Sequence, residues 1–175
     1  MNYSFDNYWK SIFKKRTIGD IEHQSVQSKE IIEWHKKFIK KIGPSLFKNR
    51  KIRVLDIGCG TGYLTNLFCK FSDEVFGVDY LEEFIIEAKL KYNKPKFVNC
   101  NIYNLDKIEG DFDLVVCFGI MQHLSDLETA LKNIKLKLST KKQSKALITT
   151  MNSNSIFYKN NLRFKFVNPT EIEKL

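Results

Sequence analysis

The chain has 175 residues and weighs 20.6 kDa, enough for one core and too little for two. At 43% hydrophobic and 28% charged it is too apolar for a disordered tail, and its longest uncharged apolar run, Leu114 to Met121, is about a third of the roughly 20 residues a membrane helix needs. The net charge of +9 is uneven: residues 10–53 carry +9, residues 54–128 carry −7 and residues 129–175 carry +8. Basic flanks can steer an anionic partner, but 25 Lys against 4 Arg reads first as a solvated lysine-rich surface, because planar phosphate and base recognition favours Arg. The opening MNYSFDNYWK has no signal or transit character, so the expected compartment is the cytoplasm. Cys59, Cys69, Cys100 and Cys117 are spaced by 10, 31 and 17, which matches no zinc or CxxC pattern, so no metal is expected and the thiols read as reduced.

In chain order, the first 20 residues mix aromatics with bases and predict a short helix ending near Gly19. Ile31, Ile32, His35, Phe38, Ile39 and Ile42 recur at helical spacing, with Ser25 or Ser28 as a cap and Gly43-Pro44 as a stop, and His35 reads as packed on the apolar face. Short apolar runs follow as strand candidates: IRVLDI, EVFGVD, KFVNCN, FDLVVCF and KALITTM. Helices fit between them at 62–71, 82–92 and 125–138, while 102–111 reads as a loop or short turn. Strands alternating with helical crossovers imply an α/β domain with a doubly wound, Rossmann-like parallel sheet. Residues 1–45 read as an N-terminal helical lid and residues 46–175 as the binding domain, in one compact unit. Near the end, Asn168-Pro169-Thr170-Glu171 has the form of a helix opening.

The most informative stretch is Asp56-Ile57-Gly58-Cys59-Gly60-Thr61-Gly62-Tyr63, a buried strand running through glycines into a helix. Such a turn lets backbone approach a ligand closely. The next strand ends in Asp79, 21 residues after Gly58, near the spacing at which an acid accepts from a ribose diol. Together they point to an adenosine-containing cofactor. A dinucleotide fingerprint fits poorly, because Tyr63 stands where its third small residue belongs and Asp56 offers a pyrophosphate nothing.

DIGCGTG followed by VD at the end of the next strand resembles the signature motifs of the class I S-adenosylmethionine-dependent methyltransferases. The resemblance continues through Val98–Leu105, similar to the family's adenine segment, and Phe112–Cys117 with Gln122-His123-Leu124, similar to its fourth-strand motif. It implies S-adenosylmethionine as cofactor and S-adenosylhomocysteine as product. Carried onto this sequence, Asp56, Gly58, Gly60 and Gly62 would hold the methionyl portion, Asp79 the ribose, Tyr80 an adenine face and Asn101 the adenine amino group; Cys59, Ile102 and Cys117 are also expected at the cofactor. Asn101 replaces the family's usual Asp, keeping an acceptor oxygen without the charge. His123 would serve as base for a hydroxyl acceptor, and Tyr8, Trp9, His23 and Gln24 would stand on the substrate side under the lid.

The resemblance also implies departures. Leu138–Ser144 replaces the family's Lys-Pro-Gly-Gly turn, and the chain stops in the opening turns of a helix, so the sheet is expected to lack the last antiparallel strands. The leading reading is O-methylation of a small-molecule or glycan-type acceptor, the basic flanks favouring an anionic, phosphorylated one. Alternatives are a truncated, non-catalytic cofactor-binding protein and an RNA methyltransferase; a dinucleotide oxidoreductase ranks last. Neither nucleic acid nor a membrane is the expected partner.

Overall fold

Val54, Leu55 and Ile57 are flanked by polar or charged residues on one side and by glycines on the other, and such a run is stable only as a strand covered on both faces. In the structure, a computed structural model describing residues 9–11, 14, 29–46, 52–140 and 144–150, it is the central strand β1, Arg53–Ile57. β1 pairs in parallel with β2, Glu74–Asp79, and with β4, Leu114–Phe118. The outer strands β3, Lys96–Asn99, and β5, Lys145–Thr149, complete a five-stranded parallel sheet of order β3-β2-β1-β4-β5. The doubly wound expectation therefore holds. The order reverses between β1 and β4, where open sheets of this kind leave a crevice outside the carboxyl ends of the strands.

Strand alternation divides the core. Leu55, Val115 and Cys117 pack on one face with the 3-10 stretch Ile102–Lys107 and with α4, Leu127–Lys137. Val54, Leu114, Val116 and Phe118 face the other way, onto α1, Lys29–Leu46, and α2, Tyr63–Phe68. A third cluster joins Phe97 to Ile85 and Ala88 of α3, Glu82–Lys91. Phe68, Phe112 and Leu55 have no exposed surface, each worth about 1.5–3 kcal/mol of burial. Among the described residues no helix is long and apolar enough to cross a membrane.

Several boundaries differ from the sequence expectations. α1 does not stop at Gly43-Pro44 but runs to Leu46, with Pro44 inside its last turn. There Pro44 forfeits the bond that its N–H would give to the Lys40 carbonyl, and Gly43 serves packing: a Cβ on it would lie 2.8 Å from the Phe71 ring. The buried stripe of α1 is narrower than predicted. Ile32, His35, Ile39 and Gly43 are buried, while Ile31 is 41% exposed. Ile39 lies in the core beside Val54, so this helix, placed by sequence in the lid, packs on the sheet. α2 is shorter than 62–71, because Gly62 is its N-cap and the chain turns after Phe68. The fourth strand starts at Leu114, since Phe112 instead makes an isolated bridge to Leu138. The capping serines, the first-20-residue helix and the terminal helix opening fall outside, or almost wholly outside, the described residues.

His35 is packed as expected. Its ring stacks on Phe118 at 4.5 Å between centroids, its Nε2 lies 3.3 Å from Thr149 Oγ1, and burial pushes its pKa down to about 4.

Candidate functional site

The turn after β1 is fixed to the neighbouring strand by main-chain bonds, with the N–H groups of Gly58 and Cys59 both donating to the carbonyl of Val78. Two of its glycines act differently. Gly62 has φ +80° and caps α2, and a Cβ there would come within 2.5 Å of the Phe97 ring, so it serves close packing. Gly60 has φ +52°, and a Cβ there would meet nothing within 4 Å, so its backbone faces open space. That space is a cleft of about 280 Å³ at the carboxyl ends of β1, β2 and β4.

Two buried carboxylates stand under the turn. Asp79, the last residue of β2, accepts from Gly60 N–H at 2.9 Å through Oδ2 and from Leu81 N–H at 3.0 Å through Oδ1. It thus braces the glycine turn against the start of α3, whose N-cap is Leu81 rather than Asp79. Asp56 points with Val54 toward α2 and accepts from the Thr65 hydroxyl at 2.6 Å. Burial pushes Asp79 up to about 6; burial, and then the charge of Asp79, push Asp56 up to about 7, against the lowering bond from Thr65. Asn99, opposite Asp79 in the β2–β3 register, donates to the carbonyls of Asp79 and Tyr80 at 3.0 and 2.9 Å and so holds this strand end.

Beyond Asp79 the cleft is lined by Tyr80, Asn101, Ile102 and Tyr103. Asn101 Oδ1 accepts from Tyr103 N–H at 3.1 Å, capping the 3-10 stretch. Tyr103 in turn accepts at its hydroxyl from Asp126 N–H at 3.1 Å and lies 3.4 Å from Ser125 Oγ, across the rim.

The other wall rises from the end of β4, with Phe118, Ile120, His123 and Leu124. Ile120 reaches back against the glycine turn, where a Cβ on Gly58 would meet its Cγ2 at 2.4 Å. His123 closes a short 3-10 turn, Met121–His123, and its ring meets Trp9 edge-on at 4.9 Å and 87°. Gln122 Nε2 donates to the Gly119 carbonyl at 2.7 Å and lies 3.3 Å from His123 Nε2. Burial pushes His123 down to about 4.

Of the residues predicted from sequence, Asp56, Gly58, Cys59, Gly60, Asp79, Tyr80, Asn101, Ile102, His123 and Trp9 all line this one cleft. Two do not. Gly62 is turned into the packing against Phe97, and Cys117 is fully buried on the opposite face of β4, its thiol donating to Met121 Sδ at 3.7 Å. Burial raises the thiols of Cys59 and Cys117, which keeps both protonated. Tyr8, His23 and Gln24 lie outside the described residues. Sequence reasoning missed Thr65, Asn99 and the Phe118–Ile120–Leu124 wall. Thr65 had a signal, as a hydroxyl on the inward face of a short apolar helix.

The electrostatics choose between ligands. The described lining holds two carboxylates and no Lys or Arg. A pyrophosphate would meet repulsion there, whereas a ligand carrying an ammonium or sulfonium would restore the charged form of both acids. The open space at Gly60 and the Asp79 carboxylate beside it fit such a nucleoside.

Comparisons with known proteins agree with this geometry. Residues 55–141 match a family model described as a methyltransferase domain. The malonyl-[acyl-carrier protein] O-methyltransferase of Bacillus anthracis is 33% identical over 96 residues, 52% of this chain and 35% of that protein. The ubiquinone biosynthesis O-methyltransferase of Coxiella burnetii is 30% identical over 105 residues, 58% of this chain and 44% of that one. The chain thus matches less than half the length of these curated relatives. Among solved structures, magnesium protoporphyrin IX methyltransferase from Synechocystis with bound S-adenosylhomocysteine superposes with a TM-score of 0.68 at 16% identity, covering 99% of this chain and 82% of that one, a likeness of fold. With the glycine turn, the acid at the end of β2 and the family match all falling on one cleft, the chain belongs to the class I S-adenosylmethionine-dependent methyltransferases.

Proposed function

We propose that this chain binds S-adenosylmethionine in the cleft and transfers its methyl group to an oxygen of a small-molecule acceptor, releasing S-adenosylhomocysteine. The observation that carries the reading is Asp79, whose two oxygens are fixed by Gly60 and Leu81 N–H groups at the cleft wall, leaving lone pairs for a ribose diol. The chemistry supplied by the cofactor is an activated methyl on a sulfonium sulfur. Asp56, with Thr65 behind it, faces the cationic portion; Tyr80, Ile102 and Asn101 enclose the base; the Gly58–Gly60 backbone permits close approach. His123, held neutral by burial, is the candidate proton acceptor for a hydroxyl.

Oxygen as the acceptor atom draws support from the relatives, which are named O-methyltransferases. The basic flanks contribute no Lys or Arg to the described lining of the cleft. The test is linkage. S-adenosylmethionine and S-adenosylhomocysteine should each raise the melting temperature in a saturable way, and a nicotinamide dinucleotide should not. A shift with the dinucleotide alone would reverse the assignment.

A further inference from the structure

Asp56 borders the cleft and is held from behind. Its Oδ2 accepts from Thr65 Oγ1 at 2.6 Å, a buried contact between β1 and α2. Thr65 has no exposed surface and does not itself line the cleft. A threonine inside a helix can return its hydroxyl to the carbonyl one turn back; here the proton goes instead to a carboxylate on another element. Building on the reading above, we propose that Thr65 is a positioning residue: its hydroxyl fixes the Asp56 carboxylate for the ammonium group of the nucleoside's amino-acid portion, and so sets the preference for nucleosides carrying that group over those lacking it.

The packing around Thr65 supports this role. Asp56 lies opposite Gly77 in the β1–β2 register, and a Cβ on Gly77 would come within 3.0 Å of Thr65 Cγ2 and 2.8 Å of the Phe97 ring. Gly77 thus leaves the space that the Thr65 methyl occupies, and a β-branched side chain wedged by its methyl has little freedom to turn its hydroxyl elsewhere. An ionised carboxylate only accepts, so the Thr65 hydroxyl donates, and a donor to the charged form favours that form. Burial, and then the charge of Asp79 on β2, push Asp56 toward the protonated form, and the Thr65 bond opposes them. Without the hydroxyl, Asp56 would remain buried with that donor lost, take up a proton more readily and offer an ammonium group no charge. The adenosine portion is enclosed by other residues, Tyr80, Asn101 and Ile102, so its binding does not draw on this pair.

The test is calorimetric titration of two probes into the full chain: S-adenosylhomocysteine, and 5′-methylthioadenosine, which keeps the adenosine and the thioether but lacks the amino-acid portion. Thr65→Val, close in shape, should weaken S-adenosylhomocysteine by about tenfold or more and leave methylthioadenosine within about twofold of the parent. Thr65→Ser, which keeps the hydroxyl, should restore most of the lost affinity. Thr65→Ala carries the same expectation as the valine variant and takes its place if that variant does not melt cooperatively. Unchanged S-adenosylhomocysteine affinity without the hydroxyl, an equal loss for both probes, or no recovery with serine would overturn the positioning role alone. Failure of the parent chain to bind either probe would instead remove the methyltransferase reading beneath it.

Discussion

The half of the cleft over β1 and β2 is built largely from main-chain atoms, and the half over β4 from side chains. On the first side, Gly58 and Cys59 N–H groups are tied to Val78, Gly60 N–H to Asp79, and Asn99 to two carbonyls, so the ligand-facing surface is a rigid backbone cradle with two acids beneath it. On the second side, Ile120, Leu124 and Trp9 present apolar side chains around one imidazole, while Phe118, stacked on His35, is almost wholly buried. A cradle of main chain tolerates almost no change and suits an invariant ligand. Side chains such as Ile120 and Leu124, outside the strands, can be altered without disturbing the sheet.

Substitutions at two glycines should split the cradle most sharply. Gly60→Ala places a methyl in the open cleft at φ +52° and should weaken S-adenosylmethionine at least tenfold with a modest loss of melting temperature; calorimetry and thermal melts together read both. Gly62→Ala drives a methyl into Phe97 at φ +80° and should cost stability by about 2 kcal/mol or more, seen as an earlier denaturant midpoint. Equal effects at both positions would break the distinction between ligand-facing and packing glycines.

His123→Ala should slow methyl transfer at least tenfold and leave S-adenosylmethionine affinity unchanged, since its ring stands on the side-chain half. Equal loss of both would place it in the cradle instead.

The acids give the cradle a pH dependence of defined sign. Asp79 and Asp56 have folded-state pKa values raised to about 6 and about 7, so in the ligand-free chain their stabilising contribution is full below the unfolded carboxylate range and fades as pH rises through 6–7. A cationic ligand needs the ionised forms. Its affinity should therefore rise about tenfold between pH 5.5 and 8, measured as a larger melting shift at the higher pH. His35 behaves oppositely. Its folded pKa lies below that of the unfolded chain, so stability is full above about 6.5 and falls as pH drops toward 4. His35→Phe should flatten that acid arm by about 1 kcal/mol between pH 6.5 and 5 in denaturant titrations.

This contrast also explains what could be seen in the sequence. The cradle is encoded locally, as a strand, a glycine turn and a helix within one short stretch, and Asp79 follows at the end of the next strand, so Asp56, Gly58, Gly60 and Asp79 were legible. The wall was not, because Phe118 and Ile120 sit in the same apolar run as Leu114 and Val116 and look identical to core residues. Only strand alternation and the sheet's order decide that Phe118, a core residue on the α1 face, also borders the cleft while Cys117, one residue earlier and on the other face, does not. The Trp9–His123 contact joins residues from opposite parts of the chain, which no local pattern reports.

In the proposed function Asp79, fixed between two backbone N–H groups, grips the sugar of a sulfonium nucleoside. Calorimetric titration of S-adenosylmethionine into the chain and into Asp79→Ala tests it directly. The prediction is one saturable site in the parent and affinity at least a hundredfold weaker in a variant that still melts cooperatively; no heat of binding in the parent, or equal affinity in both, would contradict it.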